Sequence, residues 1–403
     1  MTFSNIDVWP IAKDGNSVRL MAEDRDGFLW IGSTMGVYRY DGIALKGYFQ
    51  SADPHSINEN VITSLYRDAD HAIWIGTSEG GLNKYDPVLD RFERILPPGN
   101  PFGPIRGFPY INSSDSGEVH WIPAGNGLLR YDVVTGASSL HAPATIPRDR
   151  YWDSYGFRVA LPDRFDPDLL WVAGLDGLYK YLISIDSFEF VAQETDGAQL
   201  MIHDLFYVND SMICGGSWGG GIMCYSNAED KWSGYLYEEV AGRSWENIVF
   251  TTLPADAQHM WVATKIGFGQ FDVASGTYLF YRWDENDPAA IDSSFWYSTL
   301  YRTHQGNIAV TRANGLSISS HLPGDSVRLQ FPPLVSGILI DGIPLHSDTA
   351  IHYVRLVEME GDDHDLSLNF ITPGNYSPAP VRFAYRLQGY DRAWQEMLGG
   401  RTL

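Results

Sequence analysis

Residues 26–42 read DGFLWIGSTMGVYRYDG, and residues 74–86 repeat the phrase as WIGTSEGGLNKYD. Each is a turn, an apolar run centred on a Trp, a small-residue turn, and a second alternating run ending in Tyr-Asp. Two short alternating runs joined by a tight Gly-containing turn read as a β-hairpin. The phrase then recurs with decay, as WIPAGNGLLRYD from Trp121, WVAGLDGLYKY from Trp171, ICGGSWGGGIMCY with Ile213 in the Trp position, WVATKIGFGQFD from Trp261, and IAVTRANGLSI with Ile308 there. The anchors lie 42 to 50 residues apart. That period matches a four-stranded propeller blade, about 40–50 residues.

An apolar run precedes each anchor (SVRLMAED, VITSLYRD, IVFTTLPAD) and another follows each hairpin (ALKGYF, RFERIL, TYLFYRW). Every unit thus supplies four strands, a to d. The seventh lacks a convincing d strand, whereas the chain opens with FSNIDVWPI in the d position ahead of the first a strand. The expectation is an all-β chain: a seven-bladed β-propeller over residues 1–330, closed by an N-terminal strand. Closure leaves only short, protected edges.

Composition fits. Apolar residues make up 44% of the 403, and 13 Trp and 23 Tyr can fill the space between stacked sheets. Forty Gly and 22 Pro suit a fold of many turns. Nothing approaches 18 consecutive apolar residues, and no secretory leader is evident at the start. The formal charge of −22 repels polyanions, so nucleic acid is not an expected partner. Highly sulfated polysaccharides are disfavoured too, unless a local basic pocket intervenes. Cys214 and Cys224 sit on the two arms of the fifth hairpin. They can form a disulfide or serve as small apolar fillers. No Cys or His spacing suits a metal, and no cofactor is expected.

The period breaks at Pro332-Pro333, and DLSLNFITPGNY and VRFAYRLQGYDRAWQEM read as strands of a further module over 331–403. The repeats DGFLWIGSTMGVYRYDG and HAIWIGTSEGGLNKYDP resemble the two-component regulator propeller repeat, and DPHSINENVITSLYRD resembles its spacer. YRLQGYDRAWQEM, with Tyr385, Tyr390 and Trp394, is similar to the start of the Tyr-rich Ig-like domain that follows such propellers. The resemblance implies a truncated Ig-like β-sandwich after the propeller, the two forming the periplasmic sensor region of a bacterial receptor. A transmembrane helix and a histidine kinase or diguanylate cyclase output, absent here, would follow, and the intact receptor would be a homodimer. A single propeller, where many members carry two, points to the cyclase-linked branch.

The repeated Trp residues read as packing between blades, and the Tyr-Asp ends as Asx turns. Ligand-binding residues are expected in the b–c turns and d–a connections, where a rigid scaffold carries loops. The candidates are Trp218, set between glycines; Trp152, Arg150 and Tyr155 in PRDRYWDSY; Arg243 and Trp245; Trp296; and Glu79, Lys265 and Arg312. Aromatics with a few Arg suit stacking on a small molecule or oligosaccharide. No nucleophile turn or phosphate loop occurs, so a binding module is expected and no catalytic residue is assigned. Two other readings differ in what they require. A secreted glycan lyase or hydrolase needs turnover and a catalytic carboxylate or His at the channel mouth. A protein-interaction platform needs a partner held on the rim.

Overall fold

The computed structural model describes residues 3–7, 18–79, 81–96, 103–105, 110–114, 117–144, 156–175, 177–191, 201–237, 247–281, 298–312, 315–319, 332–359, 361, 365–374, 383–389 and 391–397. Among these the sole helical element is one 3-10 turn, Ile351–Tyr353; the remaining elements are strands. Residues up to 319 form seven antiparallel sheets, six with strands a to d in chain order and one completed by an N-terminal strand.

The first sheet comprises Val18–Glu23, Leu29–Ser33, Gly36–Tyr40 and Leu45–Tyr48. The second comprises Ile62–Arg67, Ile73–Thr77, Leu82–Asp86 and Arg91–Leu96. The third runs from Tyr110–Ser114 to Ser138–His141 and the fourth from Phe157–Pro162 to Ser187–Val191. In the fifth, strand a is split into Met201–Ile202 and Phe206–Asn209, both paired with strand b, Met212–Trp218. The sixth runs from Val249–Pro254 to Thr277–Tyr281. The seventh has Leu300–Arg302, Ile308–Arg312 and Gly315–Ser319 as a, b and c. Its outer strand is the N-terminal Phe3–Asp7, in register from Phe3 opposite Ser319 to Asp7 opposite Gly315.

Each joint between successive sheets is one apolar cluster. Trp30 packs with Ile62 and Phe92 of the second sheet, and Trp74 with Ile122 and Tyr131 of the third. Trp121 meets Phe157 and Leu170 of the fourth, and Trp171 meets Tyr207 and Tyr225 of the fifth. Cys214 and Ile222 pack on Val249 and Phe271 of the sixth, and Trp261 on Leu300 and Val310 of the seventh. Leu316 and Ile318 pack on Leu29 and Tyr38 of the first, so the seven sheets close into a ring.

The repeated phrase encodes these joints residue by residue. The five anchor Trp are at most 3% exposed, as packing between sheets requires. A buried indole N–H must find an acceptor. Trp30, Trp74 and Trp171 donate Nε1 to Asp24, Asp68 and Asp163 at 2.7, 2.8 and 2.8 Å. Each Asp lies in the preceding a–b turn, and its other oxygen accepts backbone N–H groups of that turn. The residue two after the Trp must be small where the next sheet approaches. A Cβ on Gly76 would stand 2.3 Å from Ile105 Cγ2.

The hydroxyl that follows staples the b–c turn. Ser33 Oγ donates to Gly36 O at 2.9 Å and Thr264 Oγ1 to Gly267 O at 2.9 Å. The terminal Asp forms the expected Asx turn. Asp41 Oδ1 accepts from Ile43 N and Ala44 N, and Asp86 and Asp132 repeat the pattern. The Tyr before it is held by a second Asp five residues on. Tyr85 donates to Asp90 at 2.6 Å and Tyr181 to Asp186 at 3.0 Å, and both Asp sit at positive φ, 51° and 48°.

Cys214 lies directly opposite Cys224, and a disulfide joins the two buried residues, which decides between the two readings of this pair. After the ring, Leu334–Ile340 pairs with Ile343–Pro344 and Leu366–Ile371, and Ala384–Tyr385 pairs with Gln395–Glu396. Trp394, Leu356 and Ile343 of this module are exposed.

Two substitutions test the joint between the second and third sheets. Trp74→Ala is expected to lower the unfolding free energy in urea by about 3–5 kcal/mol. Gly76→Ala is expected to lower it by about 1–3 kcal/mol through overpacking. Gly361→Ala, whose added Cβ meets nothing within 4 Å, should leave it unchanged.

Candidate functional site

The a strands of neighbouring sheets contact one another, whereas the d strands alternate exposed and buried residues. The a strands are therefore innermost. At the b–c face the start of strand a pairs with the end of strand b. In four sheets the register skips one residue there, at Arg19, Thr63, Arg158 and Phe250. A bulge of this kind re-aims the extra side chain. Each falls beside the opening of the ring.

One of these bulged residues, Phe250, packs against Trp218, and a second, Arg158, acts on the neighbouring His203. The half-buried Trp218 ends strand b of the fifth sheet, its ring 6.0 Å from His203 and 6.3 Å, edge-on, from Phe250. The glycines around it belong to the turn. Ser217 Oγ donates to Gly221 O at 3.0 Å, and the N–H groups of Gly219 and Gly221 both donate to Asn247 O. Gly221 has φ 67°, and a Cβ there would lie 2.0 Å from Tyr235 O. Pressed against Asn247, the turn holds the Trp at the rim.

His203 and Asp204 support the same corner. His203 N donates to Gly216 O at 2.9 Å. Burial, with the charge of Arg158 added, holds its imidazole down at about 3, so the ring is neutral near pH 7. Asp204 Oδ1 accepts from Gly216 N at 2.6 Å, and Oδ2 accepts from Thr252 N and from Thr252 Oγ1 at 3.0 Å. It thus ties strand b of the fifth sheet to strand a of the sixth. Burial pushes this carboxyl up to about 6 against the pull of those three donors.

Two sequence-assigned candidates share this face. Lys265, half-buried in the sixth b–c turn, donates its N–H to Ile248 O at 3.1 Å, and Trp218 bridges the same Ile248. The structure thus brings Trp218 and Lys265 to one segment, 247–250. Glu79 is exposed in the second b–c turn, its N–H on Glu59 Oε2 at 2.8 Å, with the third and fourth sheets between it and Trp218 of the fifth. Arg312 ends strand b of the seventh sheet, with its side chain outside the described residues. Trp152, Arg150, Tyr155, Trp245, Arg243 and Trp296 also lie outside them. His203, Arg158 and Phe250 are additions that the sequence reading missed. The only signal was their position near the starts of a strands.

Chemically, the corner offers the half-buried face of Trp218 with Phe250 buried behind it, a neutral imidazole and a guanidinium. That set stacks on a ring and hydrogen-bonds neutral polar groups. Among the described residues no group of three or more His, Cys, Asp or Glu could hold a metal ion.

The Asp204 contact has a pH signature. A carboxyl raised from 3.8 to about 6 on folding contributes stability that is fully present below about pH 4 and lost as pH rises through about 6. Relative to Asp204→Asn, the wild-type protein should therefore lose on the order of 3 kcal/mol between pH 4 and pH 7. Urea unfolding of both proteins at several pH values measures the difference, and parallel curves would contradict it.

The sequence model described as "Two component regulator propeller" matches residues 13–35 and 56–79. Among curated proteins no match is found. Among solved structures, the chain is similar to the extracellular domain of a protein described as the one component system BT4673 from B. thetaiotaomicron. The TM-score is 0.62 at 17% identity, over 84% of this chain and 43% of that one. A second similar structure is the extracellular domain described as the hybrid two component system BT3049 from the same organism, with TM-score 0.61 and 18% identity, over 93% and 48%. The WD40 beta propeller domain of Doa1 aligns at TM-score 0.50 and 12% identity, over 76% and 94%. The chain spans less than half of the first two, and at these identities the likeness speaks to the fold. The first two repeats of this chain match the two component regulator propeller repeat, and the chain as a whole has an all-β, propeller-like fold.

Proposed function

We propose that this chain is the extracytoplasmic ligand-sensing region of a bacterial transmembrane signalling receptor. The observation that carries the reading is a conjunction. Family repeats at residues 13–35 and 56–79 lie in a fold shared, over 93% of the chain, with an extracellular domain described as part of a hybrid two component system. The seven sheets are the blades of one propeller, residues 1–330. Residues 331–403 are the N-terminal part of an Ig-like connector, which accounts for the exposed Trp394, Leu356 and Ile343. A periplasmic setting follows from the same reading and suits the Cys214–Cys224 disulfide. A histidine kinase or diguanylate cyclase would be the output, and the intact receptor would act as a homodimer.

The ligand is a small molecule or oligosaccharide held at the rim, and no turnover is involved. Trp218 provides the stacking face, backed by the buried Phe250, with hydrogen bonds from His203 and Arg158. A ligand shifts the receptor only by its differential affinity for two arrangements, and coupling of about 1–3 kcal/mol suffices.

Two measurements check this. The natural gene read past Leu403 should complete the sandwich and encode an apolar helix and an output domain; a stop codon directly after the sandwich would remove the receptor reading. A thermal-shift screen of neutral oligosaccharides should yield a binder whose Kd weakens at least about tenfold in Trp218→Ala, the worth of one stacked aromatic contact. Steady product formation from the binder would favour a glycan-active enzyme instead.

A further inference from the structure

On the face opposite Trp218 the C-terminal module is anchored to the ring at two points. Tyr353 Oη accepts from Arg25 Nη2 at 2.6 Å and Nε at 3.1 Å, and donates to Asp26 Oδ2 at 2.8 Å. Ala350 N donates to Val88 O at 2.7 Å, in the c–d turn of the second sheet. Between these turns opens a cleft of about 800 Å³, lined among others by Arg25, His71, Pro87 and Arg91. Arg25 belongs to the first anchor, and Pro87 adjoins Val88 of the second. Both anchors therefore border the cleft.

The cleft's charges are unevenly engaged. Asp24 accepts from Trp30 Nε1 and from its own turn, Asp86 caps the turn after it, and Lys84 Nζ reaches Asp68 at 3.4 Å. Arg91 touches only His55, at 3.4 Å, with no carboxylate at ion-pairing distance among the described residues. Arg25 gives Nε and Nη2 to Tyr353, with Asp26 Oδ2 at 3.9 Å from Nε, and its Nη1 makes no hydrogen bond among them. Asp70 and Glu93 are the carboxylates that remain. In a chain of charge −22, two guanidiniums with donors to spare are the local exception, and a guanidinium fork matches a carboxylate.

We propose that this cleft binds a small molecule bearing a carboxylate, and that binding and docking of the 350–353 segment reinforce each other through Arg25. The docked Tyr353 fixes one edge of the guanidinium and so presents the other edge already ordered. By reciprocity the ligand then favours the docked module by the same factor. This deepens the sensor reading by giving it a second site, next to the connector, whose chemistry is independent of the rim.

Titration calorimetry of the 403-residue chain tests it, with citrate and succinate as probes and glucose as the neutral control. Saturable binding of a carboxylate probe but not glucose is expected, at least about tenfold weaker in Arg25→Gln and in Arg91→Gln. Trp218→Ala should leave it unchanged, which separates this site from the rim. Tyr353→Phe should weaken binding severalfold, and the bound probe should slow amide exchange at residues 350–353. Absence of saturable binding, or binding indifferent to both Arg substitutions, overturns the site. Binding that depends on both Arg residues but ignores Tyr353→Phe overturns the coupling.

Discussion

Everything in this molecule depends on how closely one sheet can approach the next. A ring of seven sheets closes only if every joint holds the same short spacing, and that spacing is set two residues after each Trp. Gly32 and Gly76 leave room there for Ile62 and Ile105, and Ala173 and Ala263 fill the equivalent place in the fourth and sixth sheets. The Trp then fills the space beside the contact, and an Asp from the preceding turn satisfies its N–H. An apolar surface, a polar donor and a backbone clearance are thus settled within about ten residues. One phrase can therefore be reused round the ring while the rest of each repeat drifts.

The fifth sheet shows what happens when the phrase decays. Register corrects the expected anchor: Cys214, not Ile213, stands where Trp74 stands in the second sheet, its partner Cys224 matching Lys84, and a disulfide and a buried carboxyl take the place of the aromatic. Asp204 bonds across to Thr252 of the sixth sheet, a polar joint in place of an apolar one. It also braces the segment that carries His203, and the end of strand b that it grips, at Gly216, carries Trp218 to the rim. The repeat that departs furthest from the pattern is the one that gathers aromatic, cationic and imidazole groups at the opening. Departures from local rules tend to fall at functional sites.

Much of the architecture could be read from the residues, because hairpins are local objects. Alternation with period two, a small-residue turn and a terminal Tyr-Asp specify strands b and c without outside information. The disulfide could not be decided, since pairing depends on register, and a shift of one residue would turn Cys214 away from Cys224. Nor were the bulges visible: the skip at Arg158 or Phe250 is a one-residue irregularity inside an ordinary apolar run. His203 is one of 11 His in the chain, with no motif around it. Only the split strand a of its sheet places it beside Trp218. The Asp24, Asp68 and Asp163 acceptors were present as letters, but their reach to an indole six or eight residues on is a three-dimensional fact.

The strand Phe3–Asp7 lies against Gly315–Ser319, so this strand pairs with residues made more than 300 positions after it. At about 5–20 residues per second of synthesis, that partner emerges tens of seconds after the strand itself. Six sheets can assemble in order from contiguous chain while the opening segment waits unpaired. The last joint to form is the one that makes the ring a ring, and it joins the oldest residues of the domain to the youngest. An unpaired strand exposed for that interval is open to other edges, so the timing of synthesis, as well as the finished contacts, bears on whether this fold is reached.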